Sequence, residues 1–182
     1  MKLNYKRTIF VGFAFFLICS FWQAYDITIP LILTNKFGMS QAWSGAIMAL
    51  DNVLALFMLP LFGAISDKHR GKRGRRTPFI LLGSGIATLS VPLIAIANNA
   101  GSLPLLICAI LITLLAICMY RTMTVAIVAD ITPRPLRTKA DSVQKIVGYA
   151  GTGVMLVAIS VMVPNVERPD YLPLFLLQAA FV

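Results

Sequence analysis

Five apolar stretches, each long enough to cross a lipid bilayer, limit this chain more than any other feature of its sequence. A crossing helix needs about 20 mostly apolar residues. The stretches cover 8–33, 43–65, 79–97, 103–129 and 142–163, and a further apolar run begins at 172 and reaches 182. Hydrocarbon offers no partners to backbone N–H and C=O groups, so runs of this kind must satisfy them internally, as helices do. The expected fold is all-α, a polytopic bundle of transmembrane helices. The run at 172–182 has about half the length of a crossing and reads as a sixth helix cut short. Composition agrees, because only 13% of the residues are charged and 58% are hydrophobic. A soluble domain carries about 25% charged residues, so lipid must cover part of this surface.

Lys2, Lys6 and Arg7 precede the first apolar run and give the start of the chain the look of a signal peptide. The run continues to residue 33, well past a signal core of about 7–15 residues, so it reads as a first membrane helix. Cys19, Cys108 and Cys118 lie in apolar runs without a C-x-x-C pair or histidine partner. They read as small buried hydrophobes, with no metal site and no disulfide framework.

The short connections carry Asn35, Gly38 and Ser40, then Asn98, Asn99, Gly101 and Pro104, then Pro133 and Pro135, then Pro164, Pro169 and Pro173. Such residues punctuate helices. Pro30, Pro60 and Pro92 fall inside spans, where neighbouring helices can satisfy the freed carbonyls. One side of the bundle receives Lys2, Lys6, Arg7, Lys68, Arg70, Lys72, Arg73, Arg75, Arg76, Arg134, Arg137 and Lys139, and the other only Lys36 and Arg168. Positive charge marks the cytoplasmic side, so the N-terminus is expected there, in a multi-pass protein of the cell membrane. The same asymmetry accounts for the net charge of +9 without a nucleic-acid partner. The Lys68 to Arg76 cluster reads as a topology signal, compatible with anionic headgroup contact.

Ionisable groups within a span cost a few kcal/mol each and therefore need a reason. Asp26, Asp51, Arg121 and Lys145 are of this kind. At a rise of about 1.5 Å per residue, Asp26 lies about 10 Å from the outer end of its helix, Asp51 about 12 Å, and Arg121 about 13 Å above Asp130. In a hydrocarbon layer about 30 Å thick, acids and arginine then differ in height by only about 6 Å. This predicts a charged constellation near the midplane, where transporters place their substrates; a salt bridge that merely locks helices is the alternative. Lys145 is near enough to the basic side to snorkel. Trp43 sits where an interfacial anchor belongs. Trp22 lies deeper and shares a helical face with Asp26, four residues on. Tyr25 flanks the same region, and Tyr120 and Tyr149 stand near the depth of Arg121. Aromatic rings beside a carboxylate suit a sugar; plain helix packing is the alternative. Gly148, Gly151 and Gly153 read as sites of close helix contact.

The most specific local signal is the run Gly63-Ala-Ile-Ser-Asp67-Lys-His-Arg-Gly71-Lys-Arg-Gly74-Arg-Arg76-Thr-Pro78. Asp67 ends a helix there and can pair with arginines of its own loop or cap a neighbouring helix N-terminus. The run resembles the loop between helices two and three in the major facilitator superfamily. Within that superfamily it is similar to the sucrose:proton symporters, their bacterial relatives and the wider glycoside–pentoside–hexuronide:cation symporters. Asp51-Asn-Val-Leu-Ala-Leu-Phe57, Tyr120-Arg121 and the stretch from Ala129-Asp130 to Ala140 look like the bacterial relatives. The resemblance covers nearly the whole chain. It implies a twelve-helix parent fold of two six-helix halves, of which this chain supplies the N-terminal one, with the C-terminal half as missing partner. It gives Gly63, Asp67, Arg75 and Arg76 the part of a gating loop, with Asp130 at the cytoplasmic end of helix four. The two second-helix aspartates that hold the cation in the melibiose-type branch fall at Ala55 and Leu59, which speaks against sodium and for a proton taken up by Asp26 or Asp51. His69 stands where a serine or threonine is usual and reads as a solvated loop residue.

The leading expectation is a proton-coupled sugar symporter working by alternating access, with Trp22, Tyr25, Arg121 and Tyr149 as substrate-binding residues and no cofactor. A non-transporting half-protein or scaffold, and an exporter of drugs or metabolites, are the competing readings. An enzyme is not expected, because neither a nucleophile–base pair nor a phosphate-cradling glycine loop is visible.

Overall fold

A computed structural model of the chain describes residues 5–69, 74–163 and 170–181. Lys2, Arg70, Gly71, Lys72, Arg73, Pro164, Arg168 and Pro169 lie outside the described residues, as do the side chains of Lys6 and Arg7. The described elements are all helical: α1 (Tyr5–Leu31), α2 (Gln41–Lys68), α3 (Thr77–Ala100), α4 (Leu103–Ile131), α5 (Arg137–Met162) and α6 (Leu172–Phe181). The first five are long and apolar enough to cross a membrane. Several run past their apolar stretches. α5 begins at Arg137, five residues before the run expected from 142, because backbone hydrogen bonding does not stop where hydrocarbon does. α1 continues into one π-helical segment, Ile32–Lys36, beyond Pro30.

Local chemistry sets the ends. Ser40 Oγ accepts from the Trp43 N–H as the N-cap of α2, and Pro78 and Pro104 sit in the first turns of α3 and α4, where a missing N–H costs nothing. α3 stops at Gly101, whose φ of +66° is the left-handed cap. The Lys36 ammonium then bonds the Asn98 carbonyl near that same C-terminus. Asn99 Nδ2 donates to Asp170 Oδ1 at 3.5 Å. These contacts gather the α1–α2, α3–α4 and α5–α6 connections at one end. The basic connections meet at the other, as described below.

α1 packs along α5 and α3 along α4, while α2 leans on α4 and α6 on α3. α4 is the most buried span and α2 the least. The α1–α5 contact is glycine-dependent: a Cβ on Gly151 would collide with the Phe16 carbonyl and lie 2.8 Å from Ser20 Oγ, and one on Gly148 would lie 2.8 Å from Cys19 Sγ. Gly153 is different from expectation, because nothing lies within 4 Å of its Cβ position and it supports no close contact. It is offset from Gly151 by two residues, which turns it to another face.

The cysteines also depart from a uniform buried reading. Cys118 is buried, Cys19 is half-buried and Cys108 is exposed. Lipid satisfies an apolar side chain as well as a protein core does, so an apolar sequence context does not imply burial in protein.

Candidate functional site

Three helices converge on a cavity of about 430 Å³ lined by Phe15, Ile18, Cys19, Trp22 and Asp26 of α1, Asp51 and Asn52 of α2, and Arg121 of α4. The α1 contribution is one helical stripe, 15, 18, 19, 22 and 26, spaced at three and four residues. Pro30 has no N–H, so the Asp26 carbonyl four residues earlier loses its helical donor and adds acceptor capacity beside the Asp26 side chain. Four residues singled out in the sequence, Trp22, Asp26, Asp51 and Arg121, therefore meet in one place.

Their charges do not neutralise one another by contact. Among the described residues, neither Asp26, Asp51 nor Arg121 takes part in an ion pair. Asp51 Oδ1 instead accepts from the Asn52 backbone N–H at 2.6 Å and from Asn52 Nδ2 at 2.9 Å. Asp26 and Arg121 are exposed to the space that the helices leave open. The Trp22 indole N–H is buried, with no hydrogen-bond acceptor among the described residues. The cavity thus presents the unclaimed Arg121 guanidinium together with two carboxylates and part of the Trp22 ring.

Tyr25 stands behind this surface. It is 1% exposed, stacks on Phe21 at 5.8 Å and meets Trp22 edge to face at 5.7 Å, and its hydroxyl has no hydrogen-bond partner among the described residues. It steadies the Trp22 ring and does not line the cavity. Tyr120 is buried as well. Tyr149 is 71% exposed on α5, one turn after Lys145, and also lies outside the cavity. Lys145 pairs with Asp141 at 2.9 Å near the start of α5.

The gating-loop residues form a second constellation at the basic end. The Arg76 guanidinium is only 11% exposed. Its Nε donates to Asp130 Oδ2 at 2.7 Å and its Nη2 to Asp130 Oδ1 at 3.4 Å. Nη2 also reaches Asp67 Oδ1 at 3.2 Å, and Nη1 reaches Ser66 Oγ at 3.2 Å. One planar fork therefore ties the C-terminal ends of α2 and α4 to the start of α3, a task suited to arginine geometry. Arg137 adds bonds to the Ala129 and Thr132 carbonyls at the end of α4. Asp67 spends its contact on Arg76; the N-cap of α3 is Arg76 itself, with no side-chain cap bond. Arg75 is exposed, and Gly63 lies within α2, where its carbonyl accepts from Ser66 Oγ at 3.3 Å. His69 caps the end of α2 with its ring edge on Phe79 at 5.6 Å.

Sequence reasoning missed Asn52, Cys19, Phe15 and Ile18 in the cavity and Ser66 in the network. The helical spacing of 15, 18, 19, 22 and 26 was a usable signal for the α1 residues, and a polar side chain next to Asp51 was one for Asn52.

The profile of the MFS/sugar transport protein family matches residues 10–179. The sucrose transport protein SUC4 of Arabidopsis thaliana is 32% identical over 81 residues, covering 44% of this chain and 16% of that protein. The sucrose transport protein SUC3 of the same plant is 38% identical over 83 residues, 46% of this chain and 14% of that protein. The alignments span less than a fifth of either relative. No solved structure matches the chain. With a family profile matched along almost its whole length and five helices fit to cross a membrane, this multi-pass membrane protein belongs to the MFS/sugar transport protein family.

Proposed function

We propose that this chain is the N-terminal bundle of a proton-coupled sugar transporter that works by alternating access, with a second bundle closing the cavity from the other side. The observation that carries this reading is the meeting of Trp22, Asp26, Asp51 and Arg121 in one cavity without an ion pair between them. Carboxylates and a guanidinium left unpaired inside a span are costly unless something else engages them. A sugar fits: its hydroxyls can donate to the carboxylates and accept from Arg121, and its CH faces can rest on the Trp22 ring. Proton coupling follows from the two acids, since one proton removes both their mutual repulsion and a charge held within a span. In this reading the Arg76 network is the latch that opens and re-forms as the bundles rock. The excess of Lys and Arg at the Arg76 end supports placing that end, and the N-terminus, in the cytoplasm of a cell-membrane protein.

The test is uptake of labelled sucrose by the natural full-length protein in proteoliposomes, with and without an inward proton gradient. Saturable uptake that the gradient accelerates is expected. Asp26→Asn or Asp51→Asn should abolish gradient-driven accumulation and keep counterflow exchange. Uptake indifferent to the gradient, or accumulation by both single variants with a normal pH profile, would contradict the assignment. Efflux of drug-like cations without sugar uptake would favour the exporter reading.

A further inference from the structure

The described residues hold a second, chemically opposite cavity on the outside of the bundle. α2 and α3 diverge over α4 and leave a groove of about 320 Å³ lined by Phe62, Leu82, Ile86, Ile112, Leu115 and Met119, with no polar side chain in its lining. Leu82, Ile86, Ile112 and Leu115 are exposed. The groove lies within three membrane spans, so its natural filling is hydrocarbon.

The groove runs on to the basic end along two helical stripes. Phe79 precedes Leu82 by three residues and Ile86 by seven, and His69 follows Phe62 by seven, so each set shares a helix face. The rings of His69 and Phe79 meet edge to face at 5.6 Å at the basic ends of these two helices. Just beyond stand Lys68 and Arg75, both exposed. Among the described residues neither has a carboxylate partner, because Asp67 and Asp130 are engaged by Arg76. The start of α3 at Thr77 adds the positive end of a helix dipole. An apolar groove within the membrane spans, on helices that end in exposed cations without carboxylate partners, has the charge complement of a phospholipid with an anionic headgroup.

We propose that the α2–α3–α4 groove holds one acyl chain of an anionic phospholipid, with its headgroup phosphate among Lys68, His69 and Arg75. The lipid would bridge the ends of the two helices that flank the Arg76 network. It would do so without entering the central cavity, which is lined by an entirely different set of residues.

The experiment uses the natural full-length protein in mild detergent, supplied with phosphatidylglycerol or phosphatidylcholine carrying a diazirine midway along one acyl chain. Cross-linked positions are mapped by peptide mass spectrometry. Phosphatidylglycerol should label Leu82, Ile86, Ile112 and Leu115 above other exposed apolar residues such as Phe57 and Val157. Ile86→Trp should fill the slot and remove that labelling with helical content unchanged; Leu82→Trp serves if that variant does not fold. Lys68→Ser and Arg75→Ser should each lower the preference for phosphatidylglycerol over phosphatidylcholine about fivefold. Even labelling of all exposed apolar residues, equal labelling by the two lipids, or groove labelling that survives the tryptophan would overturn the proposal. Chain-to-chain cross-links across the groove in place of lipid adducts would assign it to a second copy and overturn it equally.

Discussion

Arg76 and Arg121 sit in the same bundle and are used in opposite ways. Arg76, at the start of α3, is nearly buried and gives all three guanidinium nitrogens to Asp67, Asp130 and Ser66. Arg121, in the interior of α4, lines a cavity with two carboxylates and pairs with neither. Simple electrostatics would reverse this pattern, since an unpaired charge costs most where water is scarcest. The difference teaches that the basic-end charges are committed to holding helices together, whereas the mid-span charges are left without an ion-pair partner among the described residues, as the proposed sugar site requires. Loss of stability should then be larger at the basic end, and loss of transport larger at mid-span.

The largest expected effect is on transport. Arg121→Met in the full-length protein should lower sugar uptake by about ten- to hundredfold, the loss of a charge-assisted hydrogen bond or two. Arg121→Lys should fail too, since it keeps the charge and loses the fork. Uptake of labelled sugar at matched surface expression checks both. Wild-type uptake by Arg121→Met would break the comparison by making the mid-span arginine idle.

A smaller effect is expected at the other region. Asp130→Asn should cost about 1 kcal/mol of stability and Asp67→Asn less, because Asp130 makes the shorter bonds and is less exposed, 43% against 58%. The two should be non-additive, since both act through Arg76. A double-mutant cycle on denaturant unfolding in detergent measures this, and strict additivity would show that Arg76 does not couple them. Asp67→Asn should also slow transport more than it lowers insertion.

The contrast explains what the sequence could and could not reveal. Spans were legible because a bilayer demands long apolar runs, and Asp26, Asp51 and Arg121 stood out because such groups are rare inside them. Asn52 and Cys19 did not stand out, since neutral polar residues are common in spans. Tyr25 and Tyr149 show a deeper limit. Lipid and protein core are both apolar, so hydropathy does not reveal which way a helix face turns; Tyr25 turned out to be inside and Tyr149 outside. The Arg76 network joins positions 54 residues apart, a pairing that no local pattern encodes. The extended start of α5 and the π-helical segment after Pro30 were hidden for a related reason: both lie where polar sequence begins but helical hydrogen bonding persists.

The smallest expected effect is that of salt. Asp67 and Asp130 are partly exposed, so raising ionic strength should weaken the Arg76 network by only a few tenths of a kcal/mol. Thermal melts across a salt series check this, and a steep dependence would mean that the network is more open to water than its 11% exposed arginine indicates.

The most direct test makes one substitution at the two arginines and reads the thermal stability of the 182-residue chain in detergent by circular dichroism. Arg76→Met should lower stability by about 1–3 kcal/mol, because it leaves two carboxylates and a hydroxyl without their shared donor. Arg121→Met should change it by less than about 0.5 kcal/mol, or raise it, because no partner is lost. A large loss at Arg121 with little at Arg76 would contradict the account and make the mid-span charges the lock of the bundle.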